Sequence, residues 1–83
     1  MDDEVLKWEA LLAYLTSEVA DFYAVLGESS KALDWLDRAV RGGDERLEWF
    51  RRDPLLASIR DHPRFQQIME SIAYRRQQRK PVR

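Results

Sequence analysis

The chain contains no cysteine, which removes disulfides, thiol nucleophiles and cysteine-based zinc sites together. It has one histidine, His62, so no second imidazole exists to complete a metal site with it. No serine–histidine–acid set, glycine-rich phosphate loop or paired-carboxylate pocket is legible, and the sequence therefore reads as non-enzymatic and free of cofactors and metals. No apolar run approaches the length of a membrane span, and Met1-Asp2-Asp3-Glu4 has the wrong charge for a signal peptide, so the expected location is cytoplasmic. No segment shows the period-two alternation of a strand.

What remains is helical. Eighty-three residues, 45% apolar and 35% charged, describe one small globular domain near the size where a single core is barely sufficient. The net charge of −1 conceals an asymmetry. All 15 acids lie in residues 1–72, whereas Arg75, Arg76, Arg79, Lys80 and Arg83 follow with no acid among them. The body is acidic and the end basic.

From Asp3 to Leu26 neither proline nor glycine interrupts a helix, and the acids at its start complement the helix dipole. Val5, Trp8, Leu12, Leu15, Val19, Phe22 and Leu26 alternate steps of three and four, the spacing of a coiled-coil seam. A second stripe, Leu11, Ala20, Tyr23 and Val25, makes the apolar face wider than a two-stranded seam needs, and a globular core is the preferred reading of this helix. Its length of about 36 Å is roughly twice that of the helix expected from Ser30 to Arg41. That second helix carries Ala32, Leu33, Leu36, Ala39 and Val40 on one stripe, with Ser29 or Ser30 available as its cap. Gly42-Gly43 ends it, glycine being the residue that most readily takes a left-handed cap. A short amphipathic segment follows from Glu45 to Arg51. Asp53-Pro54 and Asp61-His62-Pro63 each start a further helix, the last one carrying Phe65, Ile68, Met69 and Ile72 on one face. That helix is expected to end near Gln78, before Pro81.

Ala20, Tyr23, Gly27, Ala32 and Ala39 have the residue types and spacings of the tetratricopeptide repeat signature, and residues 13–46 resemble one such repeat. Thr16 stands where that family usually has tryptophan, and Gly42-Gly43-Asp44 replaces the usual closing proline. The stretch from Trp49 to Leu56, with Ile59 to Phe65, is similar to the segment that closes the last repeat of bacterial repeat proteins. The resemblance implies an all-α fold: an antiparallel helical hairpin, extended by a long first helix and closed by short C-terminal helices. The expected layout is a single domain over residues 1–74, with an N-terminal extension over 1–12, the hairpin over 13–46, closing helices over 47–74 and a basic tail over 75–83. Such repeats normally stack in threes or more. Here one repeat stands alone, so the missing surface comes from the chain's other helices, from a longer protein or from a second chain.

The implied function is protein–protein interaction or scaffolding, with a protein or peptide partner or a homodimer. By position, the family's peptide-binding face corresponds to Tyr14, Ser17, Asp21, Ala24 and Val25. Self-association falls on Val5, Trp8 and Leu12, beyond the hairpin's reach, although packing of Trp8 against the last helix fits equally well. The alternative is an accessory domain of a larger regulator that touches nucleic acid or an anionic surface through Arg75, Arg76, Arg79, Lys80 and Arg83. Those bases are also free to lie along the acidic body. His62 reads as a capping or exposed residue, and Asp34, Asp37, Asp44, Glu45 and Glu48 as a solvated face.

The alanine spacing yields a first test. Ala39→Leu should overpack the hairpin and cost about 1–3 kcal/mol, read as a lower thermal midpoint; an unchanged midpoint would disprove the hairpin alignment.

Overall fold

A computed structural model describes residues 3–79, with side chains at Trp8 and from Leu11 to Arg79. The element order is α1 (Asp3–Val25), α2 (Ser29–Arg41), α3 (Leu47–Arg52), a 3₁₀ helix (Pro54–Ile59) and α4 (Pro63–Gln78). The fold is all-α. Among the described residues there is no strand.

Helices α1 and α2 form an antiparallel hairpin. Gly27, at φ +80°, reverses the chain, and a side chain there would be strained because L-residues rarely adopt that backbone conformation. At the far end, a Cβ built on Gly42 would lie 3.6 Å from the Cβ of Ala13, so α2 stops beside residue 13 of α1. The N-terminal part of α1 therefore projects past its partner, as the difference in helix length requires.

The buried face of α1 is made of small residues. Ala13, Ser17, Ala20, Asp21 and Ala24 are buried, Ser17 and Asp21 towards Arg46 and Asp53 of the closing segment, and Ala32, Leu33, Leu36, Ala39 and Val40 form the buried stripe of α2. Alanine at these positions lets the two backbones approach closely, and the leucines of α2 supply the volume. This corrects the expectation that the three–four seam of α1 enters the core. Trp8, Leu12, Leu15, Phe22 and Leu26 are exposed, on the side of α1 opposite the alanines. The reason is geometric: α1 is apolar on nearly every side, and the hairpin contact admits only the narrow side.

The closing elements complete one core. Leu47 and Phe50 of α3, Leu56 and Ile59 of the 3₁₀ helix, and Phe65, Ile68, Met69 and Ile72 of α4 are all buried in the cluster that contains α2. The 3₁₀ helix packs on α1, where the Ser58 hydroxyl donates to the Ala24 carbonyl at 3.0 Å. Helix α4 packs on α2 and α3 and leaves Trp8 uncovered.

Capping differs in detail from expectation. Glu28, not a serine, precedes α2 and makes no side-chain cap. Gly42 is right-handed, while Gly43 at φ +114° takes the conformation that ends the helix. Asp53 caps the 3₁₀ helix through the Leu55 N–H at 2.9 Å, and His62 Nδ1 accepts from the Arg64 N–H at 3.1 Å at the start of α4.

Ile72 is fully buried and Tyr74, two residues on, is 64% exposed. Ile72→Ala should cost about 2–5 kcal/mol by leaving a cavity, whereas Tyr74→Ala should leave the denaturation midpoint nearly unchanged. Equal effects would show that α4 is not docked as described.

Candidate interaction surface

The outward side of α1 is the feature of the molecule least like an ordinary protein surface. Trp8, Leu11, Leu12, Leu15, Phe22, Val25 and Leu26 are all exposed, four of them by 60% or more: Leu12 at 62%, Val25 at 62%, Trp8 at 61% and Phe22 at 60%. Between Leu11 and Leu26 the helix carries only two charged residues, Glu18 and Asp21, and Asp21 is buried. A helix apolar on all sides is normally surrounded by protein. Contiguous exposed apolar surface of this kind marks an interaction site.

Behind that face a polar seam fixes α1 to the closing segment. The guanidinium of Arg46 donates to both carboxylate oxygens of Asp44 at 2.9 Å and to the Ser17 hydroxyl at 2.9 Å. It stacks over the rings of Tyr14 and Phe50, 4.8 and 5.4 Å from their centroids. One arginine thus ties the turn after α2 to α1 and α3, by a planar fork that lysine cannot imitate. Its own pKa is raised, chiefly by the hydrogen bond to Asp44.

Next to it, Asp21 and Asp53 form a buried carboxyl pair. Burial, then the hydrogen bond to Asp53, then the charges of Asp53 and Glu18 push the Asp21 pKa up to about 7, against a smaller opposing pull from Arg46. Asp53 Oδ2 is buried and receives no hydrogen bond from any N–H. Burial beside a second carboxylate disfavours the ionised form of Asp21.

The residues anticipated for a peptide-binding face are divided by this arrangement. Ser17, Asp21 and Ala24 are buried beneath the chain's own closing segment, while Tyr14 and Val25 are exposed. Asp44, expected on a solvated face, is buried because Arg46 neutralises it there. Of the residues expected for self-association, Trp8 and Leu12 lie on the exposed face of α1; the side chain of Val5 lies outside the described residues. Sequence reasoning does not single out Arg46, and it reads Asp53 as a helix start, not as a buried neighbour of Asp21. An aspartate and an arginine two residues apart, directly after Gly42-Gly43, was the available signal for the first.

The basic end is largely occupied. Arg75 and Arg76 belong to α4, and Arg75 donates to the Val40 carbonyl at 2.7 Å. Arg76 pairs with Glu48 at 3.2 Å, and Arg79 pairs with Glu45 through both its terminal nitrogens. The hydrogen bond from Arg79 holds the Glu45 carboxyl below its ordinary pKa, and the Glu48 carboxyl is held low first by its own backbone N–H and then by Arg76. Lys80 and Arg83 lie outside the described residues. Among the described residues no cluster of acids, histidines or cysteines is arranged to hold a metal ion, and no helix is long and apolar enough to cross a membrane.

No family model matches this chain, and neither a curated protein nor a solved structure does.

The carboxyl pair sets a pH dependence. Folded Asp21 keeps its proton up to about pH 7, whereas in the unfolded chain it loses it near the ordinary aspartate value of 3.8. Between those limits the native state binds more protons, so stability is greatest at the acid end and falls as pH rises through about 7. Asp21→Asn, whose amide donates to Asp53 at any pH, should abolish that slope and raise stability at pH 8 by on the order of 2–4 kcal/mol. Thermal melts of both chains at the two ends of this range check it. A variant that melts lower than the native chain at the alkaline end would mean that Asp21 is needed as a carboxylate.

Proposed function

We propose that this chain is a non-catalytic protein–protein interaction or scaffolding module of the tetratricopeptide type, working in the cytoplasm and presenting α1 to a protein partner. The observation that carries the reading is the apolar outward face of α1, from Trp8 to Leu26, with Glu18 as its one exposed charge among the described side chains. The closely packed hairpin with Ala20, Ala32 and Ala39 at its centre supports the repeat-type assignment. In repeats of that kind each unit leaves a face that a neighbour must cover.

The competing reading, contact with nucleic acid or an anionic surface through the basic end, has less support. Arg75, Arg76 and Arg79 already face Glu45 and Glu48, and phosphate would have to displace those carboxylates.

A photoreactive residue at Leu15 tests the interface reading directly. Illumination in intact cells should give discrete protein adducts, whether to the same chain or to another. The same group at Gln67, an exposed residue of α4, serves as the control. Labelling at Leu15 no greater than at Gln67 would remove the reading.

A further inference from the structure

Resting on the reading of α1 as an interface, we propose that its occupant is a second copy of this chain, docked through α1 as an antiparallel pair about a two-fold axis passing between Leu15 and Val19. Four observations converge on this occupant.

The first is register. The outward seam keeps the three–four spacing without interruption from Trp8 to Leu26, and that spacing keeps a helix face turned towards a second helix along its whole length. When α1 is laid antiparallel on itself about the stated axis, Leu15 falls opposite Val19, Leu12 opposite Phe22, and Trp8 opposite Leu26. Each layer sets one side chain against a different one, and the outer two combine an aromatic ring with a leucine. The match is self-complementary, as a two-fold interface demands. A parallel pairing would instead place Trp8 on Trp8 and Phe22 on Phe22.

The second is area. Trp8, Leu12, Phe22 and Leu26 are 58–62% exposed and Leu15 48%; with aromatic side chains offering about 150–250 Å² each and the aliphatic ones less, a symmetric pair that covers the whole seam buries on the order of 1,200 Å² in total, where specific interfaces begin. The third is composition: aromatic and aliphatic groups fill the face and, among the described side chains, Glu18 alone interrupts it, the depletion of charge that distinguishes the centre of an interface from its rim. The fourth is access. The molecule is a slab with extents of 40 × 31 × 17 Å, and α1 projects past the end of α2, so a second α1 can lie along it without meeting α4.

One contact opposes the pairing. In this register Glu18 of each copy flanks the axis on the same side, and the two carboxylates repel. The geometry thereby makes a prediction that another occupant would not share: Glu18→Gln should tighten the dimer several-fold.

The test is sedimentation equilibrium of the full chain across a concentration series, with variants. The native chain should be dimeric. Leu15→Glu should weaken association by at least about 100-fold, while Leu55→Glu, equally exposed at 48% but on the 3₁₀ helix, should not. Circular dichroism confirms that each variant is folded. Orientation is read by oxidising cysteine variants, since the natural chain has no thiol. Leu12→Cys and Phe22→Cys should cross-link when mixed but not singly, because like positions in an antiparallel pair are offset by about 15 Å, beyond the reach of a disulfide. Cross-linking of each variant with itself would overturn the antiparallel arrangement. A native chain that stays monomeric at high micromolar concentration would overturn the dimer. If Leu15 then still captures a different protein on illumination, the interface reading survives with another occupant; if it captures nothing, both fall.

Discussion

Everything in this fold follows from the close approach of α1 and α2. Alanine at positions 13, 20, 24, 32 and 39 brings the two helices together, and once they are close the bulky side chains of α1 have no room between them. Leu33, Leu36 and Val40 fill the space on the α2 side, and α3, the 3₁₀ helix and α4 build outward from them. The small residues therefore decide two things together: which face of α1 is buried and which is left in water. A larger residue at any of these sites would both loosen the hairpin and change what the molecule displays.

The polar seam works differently from the apolar core and complements it. Arg46, Asp44 and Ser17 hold the turn after α2 against α1, and Asp21 is buried beside Asp53 where α1 meets the closing segment. Each of these groups is expensive to bury alone and acceptable only with its partner. Their geometry is accordingly demanding in a way that the leucine contacts are not. Further out, Glu45 and Glu48 engage Arg75, Arg76 and Arg79, so among the described residues these acids of the body and bases of the C-terminal end neutralise each other within one molecule.

The helices and their order were legible from sequence, because proline, glycine and apolar spacing act locally. So was the docking of α4, whose four apolar residues lie on a single stripe that has one way to face. The face of α1 was not legible. Its heptad seam and its alanine stripe are both regular, and periodicity alone cannot say which the neighbour will take when a helix is apolar on every side. Steric fit decided, and steric fit is a property of the pair α1–α2 rather than of α1. Asp44 was misplaced for a related reason: its burial depends on Arg46 folding back across the turn, and a charge pattern read along the chain treats both as solvated.

The three tryptophans sit in unlike surroundings. Trp8 and Trp49 are exposed, at 61% and 41%, and Trp35 is half-buried beneath the guanidinium of Arg38, 4.8 Å above its ring. None belongs to the fully buried set, where phenylalanines 50 and 65 are the aromatic members. Indole emission from the native chain therefore combines two rings in contact with water, Trp8 and Trp49, with Trp35, which packs against the core and loses that contact when the core melts. The exposure of Trp8 makes it an optical reporter of whatever comes to rest on α1: its emission shifts to shorter wavelength when that face is covered.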